Sequence, residues 1–284
     1  QQFLPVRTVT PADRHLVAQG RDGRLGELVG NQYNGKTHPT RVMRSNCQMD
    51  VTVVGSGPNG LAAAVTCARA GLSVQVLEAQ PTAGGGARTT ADPEFEGIVH
   101  DVCSAVHPMA LASPFMAEFD LPARGVRLQV PAISYANPLL DRPAAVAYRD
   151  LDRTCAELVN GHSWRRLFGP LTARDDGVLD LVMGDKRSIP SDPIAALQLG
   201  MRMLAQGSAA WGSLSGSDAR ALFSGVAGHA ISRMPSLISA GAGLLLATLA
   251  HTVGWPIPIG GSQRITDALI ADLTAHGGEL RVGE

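Results

Sequence analysis

The sequence predicts an α/β protein built on a Rossmann-like dinucleotide-binding domain that is split by an inserted α+β domain. Three observations predict it. Residues 50–55 form a short apolar, β-branched run that ends in glycine. The run Gly55-Ser56-Gly57-Pro58-Asn59-Gly60 follows at once and reads G-x-G-x-x-G. An acid, Glu78, closes a second apolar run. Strand, glycine turn, helix, strand and acid in that order form a β-α-β unit whose helix N-terminus can face a pyrophosphate.

Each element has its own signal. The run at 50–55 is continuous rather than alternating, as expected of a strand buried on both faces of a parallel sheet. Leu61, Ala64, Val65 and Ala68 then fall on one helical face, and Gly71 can end that helix. Residues 73–77 (SVQVL) read as the second strand. Far downstream, Ser262 can cap a helix whose Ile265, Leu269 and Leu273 share a face; Gly277 and Gly278 stop it before a strand at 279–282. The nucleotide-binding domain thus occupies 49–89 and resumes at 259–284.

Between them, residues 90–258 read as a substrate domain. Ser113-Pro114 opens a short helix, 126–130 and 144–148 suit strands, and Asp192-Pro193 starts a helix running to Gln206. No Lys, Arg, Asp or Glu stands between Arg233 and Arg264, and 237–253 is almost wholly apolar or small. A spanning helix needs about 20 apolar residues. This stretch is interrupted by Gly241, Gly243 and His251, so a buried helix is preferred to a membrane-facing one. Residues 1–48 hold scattered charges and no sustained period, and read as a disordered extension ahead of a natural start at Met49.

Composition removes whole function classes. Basic and acidic residues, 24 and 25, nearly cancel to a net charge of −1, so there is no field to gather nucleic acid or an anionic membrane. Cys47, Cys67, Cys103 and Cys155 form no C-x-x-C pair, which argues against a zinc site or disulfide framework and for a reducing compartment such as the cytoplasm. No metal-ligand cluster and no Ser/His/Asp arrangement can be assembled.

In the glycine motif, the first glycine permits the turn, the second lets backbone approach a pyrophosphate, and the third lets helix and strand pack closely. Glu78 can accept hydrogen bonds from ribose hydroxyls, which favours an unphosphorylated adenosine ribose. A second run, Gly84-Gly85-Gly86-Ala87-Arg88-Thr89, follows the acid. Glu78, a glycine doublet and an arginine together resemble the FAD superfamily that includes phytoene desaturases, amine oxidases and protoporphyrinogen oxidases. The wording GPNGLAAA, GGGART, HDVCSAVHPMA and SP is most similar to phytoene desaturase-like proteins of the pyridine nucleotide-disulfide oxidoreductase domain-containing protein 2 type.

The resemblance covers residues 50–284 and implies FAD as cofactor. Backbone at Gly84, Gly85 and Gly86 would lie along the pyrophosphate and ribityl chain, with Arg88 near phosphate. Many relatives carry arginine directly after two glycines, so which pair aligns stays open here. The resemblance also implies removal of two hydrogens from a small-molecule, lipophilic substrate, and a chain that continues into further substrate-domain and FAD-binding segments. Two rivals stand beside it: a nicotinamide-dependent dehydrogenase using the same fingerprint, and a non-catalytic binding protein on the same fold.

The remaining candidates have structural readings. His100-Asp101 and His107-Pro108 suit loop hydrogen bonding and capping, and His251 a satisfied core histidine. Arg165-Arg166 and Asp175-Asp176 suit solvated charges. Cys67 and Cys103 suit small apolar spaces.

Overall fold

The computed structural model describes residues 49–284, apart from 141 and 186, together with the backbone pairing of β1 (Gln32–Tyr33) and β2 (Lys36–Thr37). The expectation of disorder over 1–48 and the reading of Cys47 otherwise lie outside the described residues. Residues 49–284 form one compact unit.

That unit begins with β3 (Val51–Val54), α1 (Pro58–Arg69) and β4 (Val74–Glu78). Strands β3 and β4 are parallel, with Val51 opposite Val74 and Val54 opposite Leu77. Glycines and the apolar face of α1 explain the crossover: Leu61, Ala64, Val65 and Ala68 are all buried, as their spacing predicts.

The chain then makes a 3₁₀ turn over Gly85–Ala87, pairs β5 (Thr89–Ala91) with β6 (Val99–Asp101), and forms α2 (Pro108–Ala112) and α3 (Pro114–Phe119). Ser113 caps α3 by accepting from Met116 N–H. Next come β7 (Leu128–Gln129), β8 (Ile133–Asn137) and β9 (Ala145–Tyr148), the last two antiparallel.

A helical region follows: α4 (Leu151–Glu157), α5 (Gly161–Thr172), α6 (Asp175–Met183), α7 (Pro193–Gln206), α8 (Ser217–Ala227) and α9 (Leu237–Ala250). Its core gathers Trp164, Phe168, Leu171, Leu222, Phe223 and Leu244. Helix α9 is the apolar stretch, and it is buried through Leu244, Ala247, Leu249 and Ala250. Among the described residues no helix is long and apolar enough to cross a membrane.

Strand β10 (Ile257–Pro258) pairs with β7, and α10 (Gln263–Ala275) and β11 (Glu279–Val282) return the chain to the first sheet. Strand β11 lies parallel to β4, giving the order β11-β4-β3. A second core joins α1, β4 and α10 with Phe119, Leu121 and Val126. Asp272 on α10 closes it, accepting two hydrogen bonds from Arg69 at 2.8 and 2.9 Å while Arg124 Nη1 lies 2.7 Å away.

Three local expectations change. Strand β3 is not buried on both faces, because α1 and α10 share one side of the sheet and Val54 is 85% exposed on the other. Ser262 does not cap α10 with its side chain; Asp101 and the Thr89 hydroxyl meet the first N–H groups instead, at 2.8 and 3.0 Å. Cys103 is exposed rather than filling an apolar space.

His251 is the satisfied core histidine that its surroundings suggest. It receives the Trp164 indole N–H at Nε2, 2.9 Å, and donates from Nδ1 to the Tyr148 carbonyl at 2.8 Å.

Candidate dinucleotide-binding site

The turn after β3 is built by residue type. Gly55 sits at φ +97°, a left-handed conformation that a side chain disfavours. A Cβ on Gly60 would lie 2.2 Å from the Gly55 carbonyl oxygen, so only glycine lets α1 approach the strand this closely. Gly57 is different. Its φ of −65° suits any residue, and a Cβ there meets no protein atom within 4 Å. Nothing within the fold therefore requires glycine at 57.

Ser56 between them is fully buried and is held by Glu78. Glu78 Oε2 accepts from the Ser56 N–H at 2.9 Å and from its hydroxyl at 2.5 Å, and Oε1 accepts from Gln80 N–H at 2.9 Å. These bonds favour the ionised form, the Ser56 hydroxyl most strongly, and pull the Glu78 pKa down to about 2. Oε1 keeps a lone pair beyond the Gln80 bond.

The second glycine run folds onto the first. Gly84 N–H donates to Ser56 Oγ at 3.1 Å, and a Cβ on Gly85 would stand 2.9 Å from Gly57 Cα. Gly84 and Gly85, both at positive φ, are therefore the pair that faces the turn; Gly86 is exposed and lies beside Cys103. Arg88 folds back, donating from Nε to the Gly85 carbonyl at 2.9 Å. Pro58 and Asn59 open α1, where helix geometry leaves the Asn59 and Gly60 N–H groups without a carbonyl one turn back.

The structure thus brings Gly55, Ser56, Gly57, Glu78, Gly84 and Gly85 to one corner, with Arg88 fastened beside it. The sequence reading missed what pins this corner from the far end of the chain. Asp101 Oδ1 accepts from Thr89 Oγ1 at 2.6 Å and from Ser262 N–H at 2.8 Å, and Gln263 Nε2 donates to the Ala83 carbonyl at 3.3 Å. A separation of 161 residues hides the Asp101–Ser262 bond, although each had drawn notice separately.

His107 belongs to the same junction, its Nε2 lying 2.7 Å from Ser262 Oγ. His100, exposed on β6, instead pairs with Asp92 just beyond β5 at 2.5 Å.

Residues 53–119 match the NAD(P)-binding Rossmann-like domain. Beyond this Rossmann-like domain the chain has longer-range relatives. It is 28% identical to an uncharacterized protein of Mycobacterium tuberculosis over 271 residues, which is 82% of this chain and 47% of that one. A shorter stretch of 98 residues is 47% identical to sarcosine oxidase subunit alpha of Corynebacterium, covering 34% of this chain and 9% of the relative. Among solved structures, a fatty acid isomerase of P. acnes that produces CLA aligns with a TM-score of 0.51 at 16% identity, over 83% of this chain and 51% of that one. Putrescine oxidase bound to putrescine aligns at 0.50 and 19% identity, over 83% and 51%. At these identities the structures share the fold. The chain spans about half the length of the curated relatives that it matches first.

Proposed function

We propose that the Rossmann-like corner holds FAD and that the chain is part of a flavin-dependent oxidoreductase of phytoene desaturase-like type. The observation that carries this reading is the pairing of the two glycine runs: Gly57 lacks any neighbour for a Cβ, while Gly85 closes against it and Gly84 bonds to Ser56. A cradle of bare backbone beside a helix N-terminus suits a diphosphate. The residues therefore fit the group. Gly55, Ser56, Gly57, Pro58, Asn59 and Gly60 would border the pyrophosphate, and the free lone pair of Glu78 Oε1 would accept a ribose hydroxyl. Gly84, Gly85, Gly86 and Arg88 would follow the rest of the dinucleotide.

When bound, FAD supplies two-electron redox chemistry on an organic, lipophilic substrate. The protein's own part is positional. Ionised Glu78 fixes Ser56, Ser56 fixes Gly84, and Asp101 with Thr89 anchors the run to α10, so the protein's own hydrogen bonds hold the cradle in shape. The names of sarcosine oxidase and putrescine oxidase agree with an oxidase-type reaction. The match to an NAD(P)-binding domain favours a second reading, a nicotinamide dehydrogenase at the same corner.

The test compares FAD and NAD binding in the wild type and in Gly57→Ala. FAD is expected to bind and to be lost in the variant, whose melting temperature stays close to wild type because its methyl meets no protein atom. Binding of NAD without FAD would support the second reading. Binding of neither, or FAD binding indifferent to Gly57→Ala, would overturn the assignment.

A further inference from the structure

We infer that the outer face of α7 is a self-association surface, on which a second copy of this chain packs its own α7 antiparallel across a two-fold axis. The exposed residues of α7 are Pro193, Ile194, Leu197, Met201 and Leu204, all of them apolar. Ile194 is 50% exposed and Leu197 64%, with Met201 and Leu204 between them, whereas Ala195 and Leu199 on the opposite face are buried. A surface helix ordinarily turns its polar face to water.

Spacing defines what would cover this face. Ile194, Leu197, Met201 and Leu204 recur at intervals of 3, 4 and 3, the narrow seam of one helix laid along another. Those intervals read the same in both directions. Two copies related by a two-fold axis perpendicular to the helix therefore match along the whole seam, Ile194 against Leu204 of the partner subunit and Leu197 against the partner's Met201.

The flanks leave room for a close approach. Gly200 and Ala205 stand on either side of the seam. A Cβ on Gly200 would meet nothing within 4 Å, so the fold itself gives no reason for glycine in mid-helix, where it is less favourable than alanine. A partner backbone closing on that flank supplies one.

Charge lets like meet like. Arg202, the charged residue within α7, donates to the carbonyls of Leu167, Arg166 and Gln198. Asp192 at the N-terminus is taken up by the helix cap and by Arg174. The seam therefore sets no charge against its own copy, and the net charge of −1 adds no general repulsion. A lipid surface, by contrast, is gripped by Lys and Arg bordering an apolar face, and α7 has none to spare.

Size agrees with a dimer. Leu237, at the start of α9, is 49% exposed and stands beside Gly207 at the end of α7, so it extends the patch. The stripe and Leu237 bare several hundred Å², on the scale of the largest patch of a typical monomer, about 300–600 Å². A standard interface takes about 800 Å² from each partner, roughly 65% of it apolar in homodimers. The stripe supplies the apolar centre of such an interface, whatever the glycine corner binds.

The test measures the mass of the 284-residue chain by sedimentation equilibrium between about 1 and 100 μM. A reversible monomer–dimer equilibrium is expected. Leu197→Gln combined with Met201→Gln replaces exposed residues by an equally good helix former, and should raise the dimer Kd at least about tenfold with circular dichroism and melting temperature of the monomer unchanged. Gly200→Gln should weaken the dimer although it favours the monomer's helix; an unpaired face would give a higher melting temperature and no change in mass. Phe95→Gln, at a side chain 60% exposed between β5 and β6, should leave the dimer intact and so controls for general stickiness. Leu197→Cys and Met201→Cys, each made with Cys103→Ser, should cross-link on oxidation more readily when mixed than when either is alone; preferred pairing of like with like would overturn the antiparallel arrangement. The inference is overturned if the chain stays monomeric, if the dimer survives the Leu197 and Met201 changes, if Gly200→Gln leaves it unaltered, or if Phe95→Gln disrupts it equally. A monomer that binds phosphatidylcholine–phosphatidylserine vesicles through Leu197 and Met201 would overturn it too, with lipid as the occupant.

Discussion

Replacing Glu78 by glutamine tests how the glycine corner is held together. The carboxylate accepts two backbone N–H bonds and one hydroxyl bond, and its pKa falls from 4.5 to about 2. A depression of that size corresponds to about 3 kcal/mol of folding stability, of which about 1–3 kcal/mol is lost on substitution because the glutamine amide oxygen can still accept part of these bonds. The sign follows from linkage. With the folded pKa below the unfolded one, the contribution is complete above about 4.5 and is lost as pH falls through about 2. In Glu78→Gln the donors of Ser56 and Gln80 would meet an amide that has one acceptor and one donor end, leaving a donor opposed. Urea unfolding of wild type and variant at pH 7, 4, 3 and 2.5 measures the difference directly, since the other carboxylates cancel. A gap of about 1–3 kcal/mol at pH 7 that narrows below pH 4.5 is expected. A variant as stable as wild type at pH 7, or a gap that stays constant with pH, would refute the argument.

Gly60→Ala should cost at least about 1–3 kcal/mol in the same unfolding assay, because its methyl would stand 2.2 Å from the Gly55 carbonyl oxygen, whereas Gly57→Ala should cost less than about 1 kcal/mol. Asp272→Ala removes the shared partner of Arg69 and Arg124 and should lower stability by about 2–3 kcal/mol, read from the urea midpoint; a loss under about 0.5 kcal/mol would show the cluster to be solvated. Burial lowers the His251 pKa to about 4, so its NMR titration should show a neutral, Nδ1-protonated ring down to roughly that pH, and its share of stability should be full above about 6.5 and fall toward pH 4. Trp164→Phe, which removes the donor to His251 Nε2, should move that titration upward.

Local pattern alone determined a good part of this protein. The spacing of Leu61, Ala64, Val65 and Ala68 gave α1, Asp192-Pro193 gave the start of α7, and G-x-G-x-x-G with Glu78 gave the first β-α-β unit, because each rests on periodicity or on a backbone requirement within a few residues. Helices α5 and α6 carried weaker signals: Pro170 interrupts α5, and the buried face of α6 is confined to Gly177 and Val178. Only the tertiary structure decided matters that depend on distant partners. Whether Val54 is covered depends on which side α1 and α10 take. What caps α10 depends on a hairpin 161 residues away. That Gly84 and Gly85, rather than Gly86, meet the turn follows from Ser56, whose hydroxyl is aimed by Glu78. Sequence states which residues can turn, cap or ionise; which of them meet is fixed only when the two cores close and buried polar groups must find their partners.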